Sequence, residues 1–216
     1  MLRTLLSAAF VLVAMAACGP SEEMGEVKQA GTAPPTSLIT NGSFESGDTW
    51  FTTEYNAHQW PGTRSHRVAG QYPDVDPVYF PTQGLKFLQG HNATGMACSD
   101  SQNNPRYCRM WCSNTVQIAP NSAYSFSARM VSISTGTSTV TVRMVPVDAQ
   151  GAPSADQGAP FITATLDGAN GWQTLSDTFY TLEGEVPVPY QFCVVAENSF
   201  YLGRYYGLDQ ISLAKL

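Results

Sequence analysis

The chain has 216 residues, of which 11 are Lys or Arg and 17 are Asp or Glu, and its formal net charge is −6. An acidic chain is a poor match for nucleic acid or for anionic lipid, because both attract basic proteins. The length suits one domain of ordinary size with a single hydrophobic core.

The N-terminus has the features of an export signal. Arg3 is followed by an uninterrupted run of apolar or small residues, 5–17, which is too short to span a membrane as a helix. We therefore predict a signal peptide over residues 1–17. The run ends in Met15-Ala16-Ala17-Cys18, which resembles the bacterial lipobox, in which the Cys becomes the lipidated first residue of the mature protein.

The lipobox resemblance implies where the protein resides. Several acyl chains on Cys18 would hold the protein stably at a membrane. We therefore expect a lipid-anchored protein of the cell envelope, at the outer membrane or the cell surface. Plain secretion, with cleavage at another point, remains the alternative.

A spacer follows the predicted lipidation site. Residues 19–36 are rich in Gly, Pro, Ala and Glu and contain no aromatic residue. Such a segment cannot bury enough surface to fold, so we predict a flexible tether over residues 18–36. The folded domain is predicted to cover residues 37–216.

Aromatic residues are concentrated in the segment that follows Trp50. They lie among amides and acids, without the alternation that marks a strand. Sugars present apolar C–H faces and many hydroxyls, so their sites combine aromatic rings with planar polar side chains. The predicted ligand-binding residues are Trp60, Tyr72, Tyr79, Asn56, Gln59 and Asp74. The alternative for each of them is ordinary packing.

The cysteines indicate disulfide bonds. The chain has five Cys, and four remain when Cys18 is assigned to the lipid. An even set in an exported chain predicts two disulfides, whereas the spacing of Cys108 and Cys112 does not suit a metal site. Four Cys allow three connectivities, and the sequence does not choose among them. Of these we adopt Cys98 with Cys108 and Cys112 with Cys193.

Most of the remaining chain alternates between apolar and polar residues with turn residues between the segments, which predicts half-buried antiparallel strands. The clearest inward sets are Tyr124, Phe126, Ala128 and Met130; Val140, Val142 and Met144; and Tyr190, Phe192 and Val194. Further strands are predicted near Ser37–Glu45, Val78–Phe80, Leu85–Gly90, Met110–Ile118, Phe161–Leu166, Trp172–Phe179 and Tyr205–Leu213. Eight or more strands without a helical period indicate an all-β fold, a two-sheet antiparallel sandwich and in particular a jelly roll.

Four segments occur in an order that resembles a known family: "LITNGSFESGDTW", "VQIAPNSAYSFSARM", "GWQTLSDTF" and "YYGLDQISL". Together they resemble carbohydrate-binding modules of the family 4 and 9 type, within the wider galactose-binding-like jelly rolls. The resemblance covers about residues 37–216. It implies that Trp172 is a core residue, and it leaves Trp111 undecided. The Cys-containing insertion at residues 92–114 departs from the general pattern.

The family resemblance also implies a structural calcium ion. Many such modules hold calcium between their first and last strands with a Glu, an Asp and backbone carbonyls. The matching residues here are Glu45 and Asp209, with Ser43 as a carbonyl donor. Calcium prefers several oxygen ligands, and two carboxylates balance its charge. The alternative is that both acids are ordinary residues at strand ends.

Catalysis is not expected. Glu54, Asp74 and Asp76 are formal candidates for glycoside hydrolysis. Asp74 and Asp76, however, are two residues apart and would point the same way on an extended segment. The three His show no metal-ligand spacing, and no nucleophile or phosphate-binding motif is present.

Two functions of different classes remain. The first is a non-catalytic lipoprotein that binds polysaccharide or cell-wall glycan. The second is a structural or adhesion lipoprotein that uses the same fold to bind a surface protein, because fold alone does not determine function.

Overall fold

The structure, a computed structural model, describes residues 36–57, 64–70, 79–92, 98–133, 136–148, 150–184, 187–197 and 204–216. Within these ranges the regular structure consists of β-strands and one short 3-10 helix, Gly168–Asn170. The predicted all-β class is confirmed. The strands are β1 (Asn56–Ala57), β2 (Arg64–Ala69), β3 (Phe87–Asn92), β4 (Cys98–Ser99), β5 (Pro105–Arg106), β6 (Arg109–Cys112), β7 (Val116–Ile118), β8 (Ala123–Ser132), β9 (Thr137–Pro146), β10 (Ala159–Asp167), β11 (Gln173–Tyr180), β12 (Val188–Ala196) and β13 (Arg204–Lys215).

The described strands form two main sheets. The six-stranded sheet has the order β1-β2-β3-β13-β8-β11. The five-stranded sheet has the order β10-β9-β12-β6, with β7 also paired to β12. Neighbours are antiparallel except β1 and β2, which run parallel. Two facing sheets of this kind form the predicted jelly-roll sandwich.

The core lies between the two sheets, and the alternation in the sequence identified its main residues. The inward side chains of β8, β9 and β12 pack into it as predicted. It includes a group of four Phe rings with centroids 5.4 to 5.9 Å apart, in which the buried Phe126 and Phe192 pack against the half-buried Phe161 and Phe179. Trp111, which the sequence left undecided, is a buried member of the same core. Fully burying an apolar side chain of this size contributes about 2 kcal/mol.

The strand predicted over Ser37–Glu45 is wrong, because this segment is a series of turns. Asn41 and Phe44 have φ angles of 55° and 59°, in the left-handed region that a strand excludes. The Asn41 amide organises the turns: its Oδ1 accepts from the Ser46 N–H, and its Nδ2 donates to the Gly47 carbonyl. Phe44 nevertheless points into the core, as expected.

The opening segment is held against the last strand by its backbone. The Leu38 N–H donates to the Leu213 carbonyl at 2.7 Å, and the Ile211 N–H donates to the Gly42 carbonyl at 2.8 Å. A Cβ on Gly42 would lie 2.0 Å from the Ile211 carbonyl oxygen. Gly42 is therefore required by a close approach of two backbones.

Two other predicted strands also differ from the structure. The one over Met110–Ile118 is split into β6 and β7 at Ser113, whose hydroxyl accepts from the Phe192 N–H at 3.0 Å and donates to the Asn114 carbonyl at 2.7 Å. Tyr79 and Phe80 are not part of a strand. The start of that predicted strand, Val78, lies outside the described residues.

Both adopted disulfide pairings are confirmed. Cys98 is bonded to Cys108, and Cys112 is bonded to Cys193. Cys112 and Cys193 are directly opposite one another on β6 and β12, so the second bond links neighbouring strands of the five-stranded sheet. The first closes the ten-residue loop that contains β4 and β5.

The close contact at Gly42 provides a test of how the opening segment packs. We expect Gly42→Ala to lower the free energy of unfolding by about 1 to 3 kcal/mol, because the added methyl group collides with backbone that cannot move independently. Urea denaturation measures the change. Gly184→Ala is the matched control, since the nearest atom to its new Cβ lies 3.4 Å away. Equal urea midpoints for the Gly42→Ala and Gly184→Ala variants would contradict the close packing of Gly42 against Ile211.

Candidate functional site

The structure describes only part of the predicted ligand-binding set. Trp60, Gln59, Tyr72 and Asp74 lie outside the described residues. Asn56 is described through its backbone, which pairs with Ser65 of β2. Tyr79 is half-buried. Of the described part of this segment, Asn56 lies on β1 at the edge of the six-stranded sheet, and Tyr55 is buried in the core.

Strand β3 presents an unusual row of side chains to that outer face. Its inward positions are Leu88, which belongs to the core, and Gly90, where a Cβ would collide with the core residue Met110. Because side chains alternate along a strand, Phe87, Gln89 and His91 point outward. All three are buried even though they face away from the core.

One end of this face is apolar and is built around Gly207 of β13. A Cβ at this position would lie 2.8 Å from the Trp172 ring and 2.9 Å from the Phe87 ring. Trp172 crosses Phe87 edge to face with centroids 5.4 Å apart, and its indole N–H donates to the Phe80 carbonyl at 3.0 Å. Gly207 thus leaves the space that the indole occupies.

The implied core position of Trp172 is therefore wrong. Leu175 is the buried inward residue of β11, and Trp172 lies three positions before it, which gives it the opposite orientation. The indole is half-buried on the outer face of the six-stranded sheet instead.

The other end of this face is polar and planar. The Arg67 Nε–H donates to the Gln89 side-chain carbonyl at 2.7 Å. The His91 ring stacks on the Tyr205 ring with centroids 4.4 Å apart and planes inclined by 20°. Gln89 is fully buried, whereas Arg67 and Tyr205 are half-buried. We call the outward set Arg67, Phe87, Gln89, His91, Trp172, Tyr205 and Gly207 the sheet-face site.

The side chains of the sheet-face site have the chemistry that a sugar requires. Indole and phenol rings offer flat apolar faces, while guanidinium, amide and imidazole groups offer hydrogen bonds in fixed planes. The sequence analysis named Trp172 only as a core residue and did not identify the others as a site, since Gln89 and His91 resemble the polar side of an ordinary strand. Their signal was the approach of Gly207, which only the fold reveals.

The outer face of the five-stranded sheet is covered by two loops of the chain itself. The Arg109 Nη2 group donates to the Ser154 carbonyl at 2.7 Å, and the Arg106 Nε–H donates to the Ala155 carbonyl at 3.0 Å. Val145, Cys112 and Cys193 form a separate buried cluster beneath them. The loops cover this face near β6, whereas Thr163 and Thr165 of β10 are exposed.

The loop bearing the first disulfide is fastened by a carboxylate. Glu54 forms an ion pair with Arg106, whose Nη1 group donates to the Glu54 carboxylate at 2.8 Å. The same carboxylate accepts from the Arg109 backbone N–H at 2.7 Å. Burial alone would raise the pKa of Glu54, but these hydrogen bonds and the two guanidinium charges outweigh it and hold the pKa below its usual value. Glu54 is thus a fixed anion in an ion pair, which is unsuitable for a catalytic acid.

Glu54 also belongs to a group of potential metal ligands. Its carboxylate and the sulfurs of Cys98 and Cys108 lie within 4.8 Å of one another. The two sulfurs are joined in a disulfide, so neither is a thiolate that could bind a metal. The disulfide and the Glu54 ion pair therefore hold the loop in place and do not form a metal site.

The carboxylates predicted to bind calcium hold the two ends of one turn. Asp209 is buried, and its Oδ2 accepts from the Thr82 N–H and hydroxyl at 2.8 and 2.7 Å. Glu45 Oε1 accepts from the N–H groups of Leu85 and Lys86 at 2.8 and 2.9 Å. Burial raises the pKa of Asp209, although its hydrogen bonds oppose the rise.

These partners leave room for an ion without requiring one. A carboxylate oxygen has two lone pairs, so accepting an N–H does not prevent it from binding a cation as well. Ser43 lines a cavity of about 380 Å³ beside Gln83 and Gln210, next to the Asp209 turn. Neither Glu45 nor Asp209 lines this cavity, so a calcium ion held by these residues remains a prediction.

Within the described residues, no helix is long and apolar enough to cross a membrane.

Comparison with known proteins identifies the fold. The sequence matches no protein-family model and no curated protein. Among solved structures, the C-terminal family 22 carbohydrate-binding module of Clostridium thermocellum Xyn10B is similar with 13% identity and a TM-score of 0.52, over 84% of this chain and 96% of that one. The module TmCBM61, solved in complex with β-1,4-galactotriose, has 12% identity and a TM-score of 0.51, over 84% and 99%.

A third similar structure has a different kind of name. A cyclase from Fischerella sp. TAU has 12% identity and a TM-score of 0.53, over 85% of this chain and 98% of that one. At such identities the similarity shows the jelly-roll fold alone. Carbohydrate-binding modules do occur among the structural neighbours, but the two described above belong to families 22 and 61, so the resemblance to families 4 and 9 stays a prediction.

The Glu54 ion pair predicts how stability depends on acid. The pKa of Glu54 lies below its ordinary value of 4.5, so its contribution is complete above pH 4.5 and is lost as the pH falls through the lowered value. We expect Glu54→Gln to cost about 3 kcal/mol at pH 7, because it leaves buried guanidinium groups without their partner. The loss should shrink in acid, as measured by urea denaturation at several pH values.

Glu183→Gln is the control for this experiment, since Glu183 is exposed. A pH-independent loss in Glu54→Gln would mean that packing rather than charge fastens the loop.

Proposed function

We propose that the domain is a non-catalytic carbohydrate-binding module that recognises a polysaccharide or cell-wall glycan through the sheet-face site and the segment after Trp50. The observation that carries this proposal is the alignment of an indole, a phenol, an imidazole, a guanidinium and an amide on one sheet face. Two structural neighbours named as carbohydrate-binding modules, one of them in complex with β-1,4-galactotriose, support the same class of ligand.

The chemistry of binding follows from these groups. A sugar ring would lie against the half-buried Trp172 indole, while Arg67 and the Tyr205 hydroxyl would bond its oxygens. Little conformational freedom is lost, because the rings already pack against Phe87 and His91. The contact area is small and polar groups must lose water, so we expect a Kd in the micromolar to millimolar range, on the order of 10⁻⁶ to 10⁻³ M.

We further propose that lipid on Cys18 holds the domain at the cell envelope and that the spacer over residues 18–36 extends it from the membrane. The support is the apolar run that ends in Ala16-Ala17-Cys18. In this arrangement the protein would capture glycan at the outer membrane or the cell surface without cleaving it.

A structural calcium ion completes the proposal. Glu45 and Asp209 would hold it, with Ser43 as a carbonyl donor, and its charge would bind the opening segment to β13. Calcium supplies no chemistry for a reaction here and acts as a fold-stabilising cross-link.

Adhesion to a surface protein is the second candidate function. The observation that favours it is a group of exposed apolar side chains at one end of the sandwich, remote from the sheet-face site. A glycan array separates the two candidates, because a protein that binds only a surface protein would bind none of the glycans on the array.

We expect Trp172→Ala to weaken binding to the preferred polysaccharide at least tenfold, because the ring face on the outer sheet is removed. Affinity electrophoresis measures the change. Tyr180→Ala is the matched control, since Tyr180 is an exposed aromatic residue at the far end of the same strand. Trp60→Ala should also weaken binding.

Folding must be checked in the same experiment. Trp172 is half-buried, so the melting curve of each variant is recorded, and Arg67→Lys serves as a second, milder variant that keeps the charge and loses the planar fork. Unchanged retention of folded Trp172→Ala and Arg67→Lys would show that glycan binds elsewhere or not at all.

Calcium is expected to raise the melting temperature. An ion bound by the native state alone stabilises it by about 2.7 kcal/mol when free calcium is a hundredfold above Kd. Scanning calorimetry with calcium and with chelator measures the difference, and the conservative pair Glu45→Gln and Asp209→Asn should abolish it. Identical melting of the parent protein in both conditions would leave the two acids as hydrogen-bond acceptors only.

A further inference from the structure

Four of the eight large apolar side chains that are exposed in the described residues lie at one end of the sandwich. Tyr180, the last residue of β11, is 78% exposed, and Leu182, two residues later, is 88% exposed. Val188 opens β12, and Leu216 follows β13; both are also exposed. We call these four residues the terminal apolar patch. Single exposed apolar residues need no explanation, but a group of them marks a contact surface.

Backbone hydrogen bonds show that the four residues share one end of the molecule. The Leu216 N–H donates to the Ala123 carbonyl at 2.9 Å, and Ala123 pairs with Tyr180. The Asn121 N–H donates to the Leu182 carbonyl at 3.0 Å. On the other sheet, Val188 pairs with Ile118, which leads directly into the Asn121 turn.

Three residues of the terminal apolar patch line an opening between the two sheets. A cavity of about 390 Å³ lies there, with Tyr180, Leu182 and Val188 in its walls and Phe179, Met144 and Tyr190 toward the core. The surface is thus a rim of apolar residues around a hollow.

The opening segment indicates what this end faces. Leu38 bonds to Leu213 and Gly42 bonds to Ile211, so residues 38–42 run antiparallel to β13. Ser37 therefore lies toward the C-terminal end of β13, where Leu216 and the rest of the terminal apolar patch are found. The chain that leads back to Cys18 enters the domain at the apolar end.

We propose that the terminal apolar patch docks on the lipid surface in which Cys18 is anchored. This inference rests on the lipid anchor of the proposed function. Residues 19–36, as the flexible spacer predicted from the sequence, have a root-mean-square reach of roughly 25 Å. That reach keeps the domain close to the bilayer, at a high effective concentration, so a shallow apolar contact is enough to orient it.

Docking in this way holds the sheet-face site away from the membrane. Trp172 immediately precedes β11, and Tyr180 ends it, so the indole and the patch lie at opposite ends of one strand. Eight residues of strand span roughly 26 Å. The site is consequently presented to the outside while the apolar end meets the lipid.

The charges near the terminal apolar patch favour a neutral lipid surface. Glu183 and Lys215 are both exposed beside it, and the chain as a whole carries a net charge of −6. The contact therefore gains little from anionic headgroups and is repelled by a dense layer of them. We expect phosphatidylcholine to support docking better than phosphatidylglycerol.

Hydrogen exchange on the lipidated full chain in nanodiscs tests the proposal. In discs of phosphatidylcholine, amides of residues 180–184, Val188 and Tyr190 should exchange at least threefold more slowly in the parent than in Leu182→Glu, while amides of β3 exchange equally. Leu85→Glu is the matched control, because Leu85 is exposed but lies outside the patch. It should retain the protection of the parent.

Flotation of the same samples separates the anchor from the docking. Floating parent and variants with no difference in exchange would overturn the docking and leave the anchor intact. A parent that fails to float would overturn the anchor and the docking with it. Protection seen in discs that hold several copies and absent in discs that hold one would assign the patch to a second copy of the chain. Stronger protection with phosphatidylglycerol would overturn the choice of a neutral surface.

Discussion

The fold depends on how β13 changes partners along its length. Its first half pairs with β3, and its second half bonds to the opening segment on the same edge, while β8 accompanies it on the other edge. The change occurs at an irregularity between Asp209 and Ser212, where Gln210 has a φ angle of 51°. Asp209 is buried at this point and satisfies the N–H groups of the neighbouring turn. Asp209 therefore joins the last strand to the turn that precedes β3, and Glu45 joins the opening segment to the same turn.

The part of the fold that the sequence predicted is the part governed by period two. Tyr124 through Met130 in β8 alternate without interruption, and no other arrangement buries their apolar side. The opening segment was mispredicted because its course depends on left-handed backbone at Asn41 and Phe44, which an apolar pattern does not reveal. Trp172 was misplaced for a related reason: which side a residue faces depends on the register of the whole strand, and a family position does not supply that register.

The sheet-face site was harder to predict than the core because its contacts join residues far apart in the chain. Tyr205 stacks on His91, and Trp172 packs on Phe87, although each pair is widely separated in sequence. Locally, β3 looks like a strand with one buried and one polar side. Its polar side becomes a distinct surface only in the folded sheet. There Gly207 on β13 has no side chain, which leaves space for the rings of Trp172 and Phe87 to pack together. The ligand-binding role of the aromatic segment after Trp50 stays a prediction, since most of its named residues lie outside the described ranges.

Antiparallel strands that run the length of the sandwich give its two ends different chemistry. Strand β11 connects the indole at Trp172 with the exposed phenol of Tyr180, and β13 connects Tyr205 with the exposed Leu216. The core between these ends is continuous, so it fixes their relative orientation without any hinge in the described residues. A ligand held at one end is consequently oriented by whatever holds the other end. For a domain attached through its N-terminus, a rigid sandwich converts a flexible attachment into a defined direction, provided that the apolar end makes a contact of its own.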